Sequence, residues 1–218
     1  MAFATVVVIV AAAVALFFNP IWVAIEQERT GVAAIIGFSP EEVRTATNSI
    51  LAEFVFGPGT FAVEVDGRPV LNDRERGHMA DVRAVVIGFA AIVLMAAVIL
   101  FAAARAARPR TWVWQGVAVG AGLLAGGMLV AGIFVVLFFE AAFEFFHRLL
   151  FPAGSYTFDP ASDRLVQLFP MTFWSETSIA LATVLLVLSL GVAAIALRRL
   201  PAGGADARVD VSSAAAAT

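Results

Sequence analysis

The sequence predicts an all-α membrane protein: a four-transmembrane-helix bundle with short amphipathic helices and a small β-hairpin on its outer face. Three observations predict it. Hydrophobic residues make up 61% of the 218 residues and charged residues only 14%, with a mean hydropathy of +0.92, a balance that no water-facing globular surface of this size tolerates. Four apolar runs, about 3–25, 82–104, 112–139 and 177–197, are each long enough to cross about 30 Å of hydrocarbon. The two longer stretches between them, about 26–81 and 140–176, carry helix starts and turn signals rather than linker composition. Together these give a single four-span domain over 1–200, followed by a small, polar segment, 201–218, that reads as a disordered cytoplasmic tail.

The first run lacks a basic leading region and a small-residue cleavage site, so it reads as an anchor helix and not as a signal peptide. In "FSPEEVRTATNSILAEFVFG", Ser39 suits an N-cap, Pro40 the first helical position, and Glu42 closes a capping box. Val43, Ala46, Ile50, Leu51 and Phe54 then share one face, which suits a helix lying in the headgroup region. "TFAVEVDGRPV" alternates apolar and polar residues up to Asp66-Gly67, a hairpin turn, with Pro69 limiting the return strand. In "FDPASDRLVQLFP", Asp159 as cap and Pro160 at the first position predict a short surface helix with Leu165, Leu168 and Phe169 on its apolar side. The third run carries Gly116, Gly120, Gly122, Gly126, Gly127 and Gly132, small residues that predict close helix packing. Arginines without nearby acids, in "RAARPR" after the second run and at Arg198 and Arg199 after the fourth, place those ends in the cytoplasm. By alternation both termini are cytoplasmic and the two long loops share the outer face.

A net charge of −3, with arginines interspersed among acids, gives no basic stripe for nucleic acid. Without cysteine there is no disulfide framework, thiolate nucleophile or zinc thiolate site. Chemistry must rest on His, carboxylates, Arg, Tyr and hydroxyls. The two histidines, His78 and His147, both fall at the outer ends of predicted spans. Asn72 with Glu75 forms a helix start, which lines Glu75, His78 and Asp81 along one face; a carboxylate there can set an imidazole's tautomer and proton affinity. Glu140, Glu144 and His147 make a second stripe, at i, i+4 and i+7. Acids extending an almost wholly apolar helix ordinarily face a partner or a wet cavity. The two stripes predict one site if the histidines lie within about 8 Å of each other, and fail as one site beyond about 20 Å.

General acid–base catalysis fits such a site most directly, because His titrates near neutral pH. Zinc ranks second, since there is no H-E-x-x-H and ligands would have to converge from separate helices; neither metal nor cofactor is expected. Serine nucleophiles lack a G-x-S-x-G context, and there is no Gly-rich phosphate loop. Apolar walls at the outer leaflet suit membrane lipids or a lipid-linked substrate as partners. Acyl transfer from a lipid ester would use His78 as base, Arg148, Arg76 or Tyr156 as oxyanion donor, and the Phe-rich stretch 138–151 as an acyl groove.

"LNDRERGHMADV" together with "FEFFHRLLFPAGSYTFDPASDRLVQLFPMTFW" resembles a family of four-span bacterial membrane proteins that includes the lipoprotein intramolecular transacylases. The resemblance runs from the first span through the fourth and is carried by E-x-x-H-M-x-D-V, the F-H segment and the L-F-P element. It departs at Tyr156, where an aromatic Trp is expected, at Met171, where an acid is expected, and at Leu149 and Leu150 in place of aromatics. The resemblance implies a protein of the bacterial cytoplasmic membrane that moves the sn-2 acyl chain of a diacylglyceryl lipoprotein to the α-amino group of its N-terminal cysteine. It maps the family's two histidines onto His78 and His147, with Glu75 and Asp81 in the same motif. Catalytic roles are therefore expected for His78, His147, Asp81 and Glu75, and substrate contacts for Arg76, Arg148, Tyr156, Glu144 and Glu140. A metal-assisted lipid hydrolase and a non-enzymatic, partner-binding membrane protein are the alternative readings.

Overall fold

A computed structural model describes residues 1–106 and 110–201; all but the first residue of the predicted tail 201–218 and part of the link between the second and third spans lie outside them. The chain is mostly helical. In order it forms α1 (Ala2–Phe17), α2 (Pro20–Arg29), α3 (Val32–Ile36), α4 (Pro40–Val55), β1 (Glu64–Val65), β2 (Arg68–Pro69), α5 (Asp73–Ala106), α6 (Thr111–Leu137), α7 (Phe139–Leu150), α8 (Arg164–Leu168) and α9 (Met171–Arg198).

Helices α5, α6 and α9 are each long and apolar enough to cross a membrane, and α1 with α2 makes a fourth candidate span that is bent by 58°. This corrects the single helix expected over 3–25. The break has a local cause: Asn19 adopts an extended conformation, its side-chain oxygen accepts from the amides of Ile21 and Trp22, and Pro20 opens the new helix. The α1 segment packs against α5, α6 and α9, and α6 runs along α9. Helix α5 meets this bundle chiefly through α1.

Of the six glycines of α6, a side chain at Gly116 would overlap Met1 and one at Gly120 the Ala2 carbonyl, so these two let α1 and α6 close together. Gly122, Gly126, Gly127 and Gly132 have no neighbour within 4 Å of a built Cβ, so the close packing predicted for them does not occur.

The bundle end opposite the α5–α6 link carries a cap with its own apolar core, in which Val32, Val43, Ile50, Phe61, Val70, Met79, Leu165 and Leu168 are buried. The capping box at Ser39 and Glu42 forms as expected, and Val43, Ala46, Ile50 and Phe54 turn inward with Thr47. The hairpin forms too, with Val65 opposite Arg68 and both turn residues left-handed, Asp66 at φ 50° and Gly67 at φ 71°, as a two-residue primed turn requires. Pro69 leaves no amide to extend the ladder, but the Val70 amide still donates to the Val63 carbonyl.

The short helix in the second cap loop starts later than expected. Asp159 and Pro160 form a turn, and α8 begins at Arg164 after Asp163, whose carboxylate is engaged elsewhere. Helix α9 likewise begins ahead of the predicted 177, at Met171.

Candidate functional site

The segment 74–83 lies within about the first three turns of α5, continuous with the span that follows. The Asn72 side chain accepts from the Glu75 amide at 3.0 Å while Glu75 Oε2 accepts from the Asn72 amide at 2.7 Å, a reciprocal cap. The other oxygen, Glu75 Oε1, accepts from the Leu165 amide at 2.6 Å. With the residue only 1% exposed, both oxygens are held by backbone amides. Glu75 therefore pins the second cap loop to the head of α5, and neither of its oxygens is hydrogen-bonded to His78.

That loop is tied down a second time. Asp163 accepts from Asn72 Nδ2 (3.0 Å), Arg74 Nη2 (2.7 Å) and the Asp159 amide (2.8 Å). The Asp159 amide, with Asn72 and Arg74, holds the Asp163 carboxyl below the usual carboxylate range. The Arg74 guanidinium also lies over the Phe158 ring, 5.1 Å from its centroid. The network joins residues some ninety positions apart, beyond the reach of a local sequence pattern.

The loop so anchored folds aromatics over His78. Phe151 and Phe158 stand 4.9 and 5.5 Å from its ring, and His147 lies 6.1 Å away at an interplanar angle of 25°. His147 is in the last turn of α7, an amphipathic helix set off from α6 by a break at Phe138. Its Nδ1 lies 2.8 Å from the Phe143 carbonyl, and Phe143 and Tyr156 flank the ring at 4.1 and 5.2 Å. The two histidines thus meet from separate elements in one aromatic enclosure, inside the 8 Å limit.

His78 is 8% exposed and its Nδ1 is buried without a hydrogen-bond partner. It sits ahead of the apolar run that begins after Arg83. Burial pushes its imidazole down from 6.5 to about 4, with His147 acting in the same direction and Asp81 opposing. At neutral pH it is an uncharged base.

The remaining predicted residues divide. Asp81 is one turn beyond His78, half-buried, near enough to act on it through space but not hydrogen-bonded to it. Tyr156 reaches the site through His147, and Arg148, at its rim, pairs with Glu144 at 2.8 Å and faces the Tyr156 phenol. Glu144 therefore serves Arg148, and His147 turns to its own helix backbone, so the second stripe does not act as one unit. Glu140 is exposed at the start of α7. Arg76 bonds the Thr60 carbonyl and Asp73 in the cap.

A family model described as lipoprotein intramolecular transacylase Lit matches residues 1–174. An uncharacterized protein of Aquifex aeolicus (strain VF5) is 31% identical over 118 residues, 54% of this chain; the match spans about half (52%) of that relative's length. Among solved structures, the in meso structure of the membrane-integral lipoprotein intramolecular transacylase Lit from Bacillus cereus superposes with a TM-score of 0.75 over 89% of each chain, at 17% identity. A variant of that protein with a histidine replaced by alanine superposes with a TM-score of 0.66 over 90% of this chain and 89% of the other, at 16% identity. At such identities the likeness establishes a shared fold.

Proposed function

The chain belongs to the Lit family of lipoprotein intramolecular transacylases, and on that premise we propose that it moves the sn-2 acyl chain of a diacylglyceryl lipoprotein onto the α-amino group of that lipoprotein's N-terminal cysteine, with His78 as general base. The observation that carries the reading is the approach of His78 and His147 to 6.1 Å between ring centroids, from two different helices. In the reaction, the amine nitrogen attacks the ester carbonyl and an N–C bond forms. The nitrogen becomes cationic and strongly acidic in the tetrahedral intermediate, so an uncharged imidazole of low basicity suffices to take its proton. Collapse breaks the bond from the carbonyl carbon to the glyceryl oxygen, and a proton returned through His147 leaves a free 2-hydroxyl and an N-acyl amide. Tyr156 and Arg148, beside His147, are placed to stabilise the oxyanion. Glu144 holds Arg148, and Glu140 marks the rim where α7 receives the substrate.

The site lies at the outer face of the cytoplasmic membrane, with both termini inside, in keeping with the arginines at the opposite end of the bundle. The test is mass spectrometry of lipoprotein N-termini after expression in a strain lacking N-acylation. Lyso-form, N-acylated termini are expected, and unchanged diacylglyceryl termini would exclude the activity. Loss of the product in His78→Ala is expected for the base, and full activity in that variant would exclude the assignment.

A further inference from the structure

Asp81 is the one acidic member of the α5 stripe left without a job. Glu75 is consumed by two backbone amides, whereas Asp81, half-buried, has no hydrogen bond or ion pair among the described residues. The cations that might have neutralised it are committed. Arg74 is on Asp163, Arg76 on Asp73 and the Thr60 carbonyl, Arg148 on Glu144, and Arg83, two residues away, on the carbonyls of Glu53 and Gly57. All 14 basic residues of the chain are arginines, so the protein offers no lysine amine either.

The placement of this carboxylate matters. Helix α5 runs from the cap toward the apolar core, so at about 1.5 Å per residue Asp81 sits about 4.5 Å deeper than His78, on the bilayer side. An ionisable group at that depth is costly unless a partner meets it. His78, one turn away, is uncharged at neutral pH and offers the carboxylate no cation, and Phe151 and Phe158 stand over the His78 ring with faces that favour a positive charge. A nitrogen that turns cationic beside His78 would therefore have this carboxylate within one helical turn.

We propose that Asp81 is the amine-binding residue of the site, accepting hydrogen bonds from the primary amine of the acceptor and holding it against His78. This rests on the transacylase reading and deepens it. The same carboxylate stabilises the positive charge that appears on nitrogen as the N–C bond forms, before His78 removes the proton. It also supplies selectivity: an amine satisfies the carboxylate, while water or a hydroxyl cannot neutralise it, which favours aminolysis over hydrolysis of the ester.

The test uses the purified full chain in detergent micelles and a dialkyl-ether lipopeptide, which carries no transferable ester, bearing either a free N-terminal amine or a hydroxyl in its place. Wild type is expected to bind the amine probe at least tenfold more tightly than the hydroxyl probe, and Asp81→Asn to bring the ratio near one, with Asp81→Glu restoring part of it. An unchanged thermal midpoint in Asp81→Asn separates this from misfolding; should that variant unfold, the wild-type and Asp81→Glu ratios still decide. A wild-type ratio near one, or an undiminished ratio in Asp81→Asn, overturns the proposal. Ester-bearing diacylglyceryl lipopeptide is assayed in parallel. Absence of transfer by wild type there would refute the activity while the ether probes still report on the amine site.

Discussion

Replacing Glu75 by glutamine separates two roles that the sequence motif allows, a carboxylate acting on His78 and a peg holding the cap. The Glu75 oxygens accept from the amides of Asn72 and Leu165 at 2.7 and 2.6 Å, in a residue that is 1% exposed. Glutamine keeps one acceptor and turns a donor toward the second amide, so one bond to a carboxylate is lost and a buried N–H is left facing an N–H. Bonds of this kind contribute about 1.5–3 kcal/mol each. For a chain of this length each kcal/mol moves the midpoint about 2–4 °C, so Glu75→Gln should melt about 3–12 °C below wild type. The assay is the apparent thermal midpoint of purified protein in detergent, with transfer activity measured well below both midpoints. Activity there should fall only several-fold. A midpoint unchanged within about 1 °C with activity lost a hundredfold would show that Glu75 acts on the chemistry, and that the anchoring argument is wrong.

Further outcomes can be read from the same geometry. Imidazole NMR of labelled protein should show His78 titrating near 4; a His78 resonance titrating near 6.5 would refute the burial account. Because the unfolded chain takes up a proton that folded His78 refuses, its contribution to stability should fall as the pH drops from 6.5 toward 4. Gly120→Ala should cost about 1–3 kcal/mol by driving a methyl into the Ala2 carbonyl, whereas Gly126→Ala should be neutral or gain up to about 1 kcal/mol, both read from melting midpoints.

How far the sequence carried depended on the range of the interaction. Elements set by local chemistry were legible: the Ser39/Glu42 box, the Asp66-Gly67 turn and the Asn72/Glu75 start each use residues within four positions of one another. Spans were legible because hydrocarbon imposes length and composition, although the bend at Asn19-Pro20 was hidden inside an apolar run that hydropathy averages over. The start of α8 was misplaced because two Asx signals compete, and Asp159 lost to Asp163 through contacts with Asn72 and Arg74 some ninety positions away. Long-range pairing also escaped at Gln27, just past the predicted run 3–25; it is buried, donating to the Leu168 carbonyl and accepting from Thr47 to join α2, α4 and α8. Both histidines were identifiable because this apolar chain has so few titrating groups, but a stripe pattern cannot tell a carboxylate that meets an imidazole from one that meets a backbone amide.

That last distinction bears on how the site keeps a weak, uncharged base in place. A base beside a carboxylate hydrogen bond gains proton affinity, and a charged imidazolium could neither take the proton nor tolerate the cationic nitrogen that forms as the amine attacks. Here Glu75 is diverted to the cap and His147 bonds its own helix, leaving His78 Nδ1 buried without a partner and its proton affinity low. The cost of that orphaned nitrogen has to be met by rigidity around it, and the second cap loop is tied down twice, through Glu75 to the Leu165 amide and through Asp163 to Arg74. Breaking the Asp163 tie alone, by Asp163→Asn, should therefore loosen Phe158 over His78 and let its pKa rise toward 6.5 while Glu75 still holds Leu165. A His78 resonance that stays near 4 in Asp163→Asn would mean that burial of the imidazole does not depend on this loop.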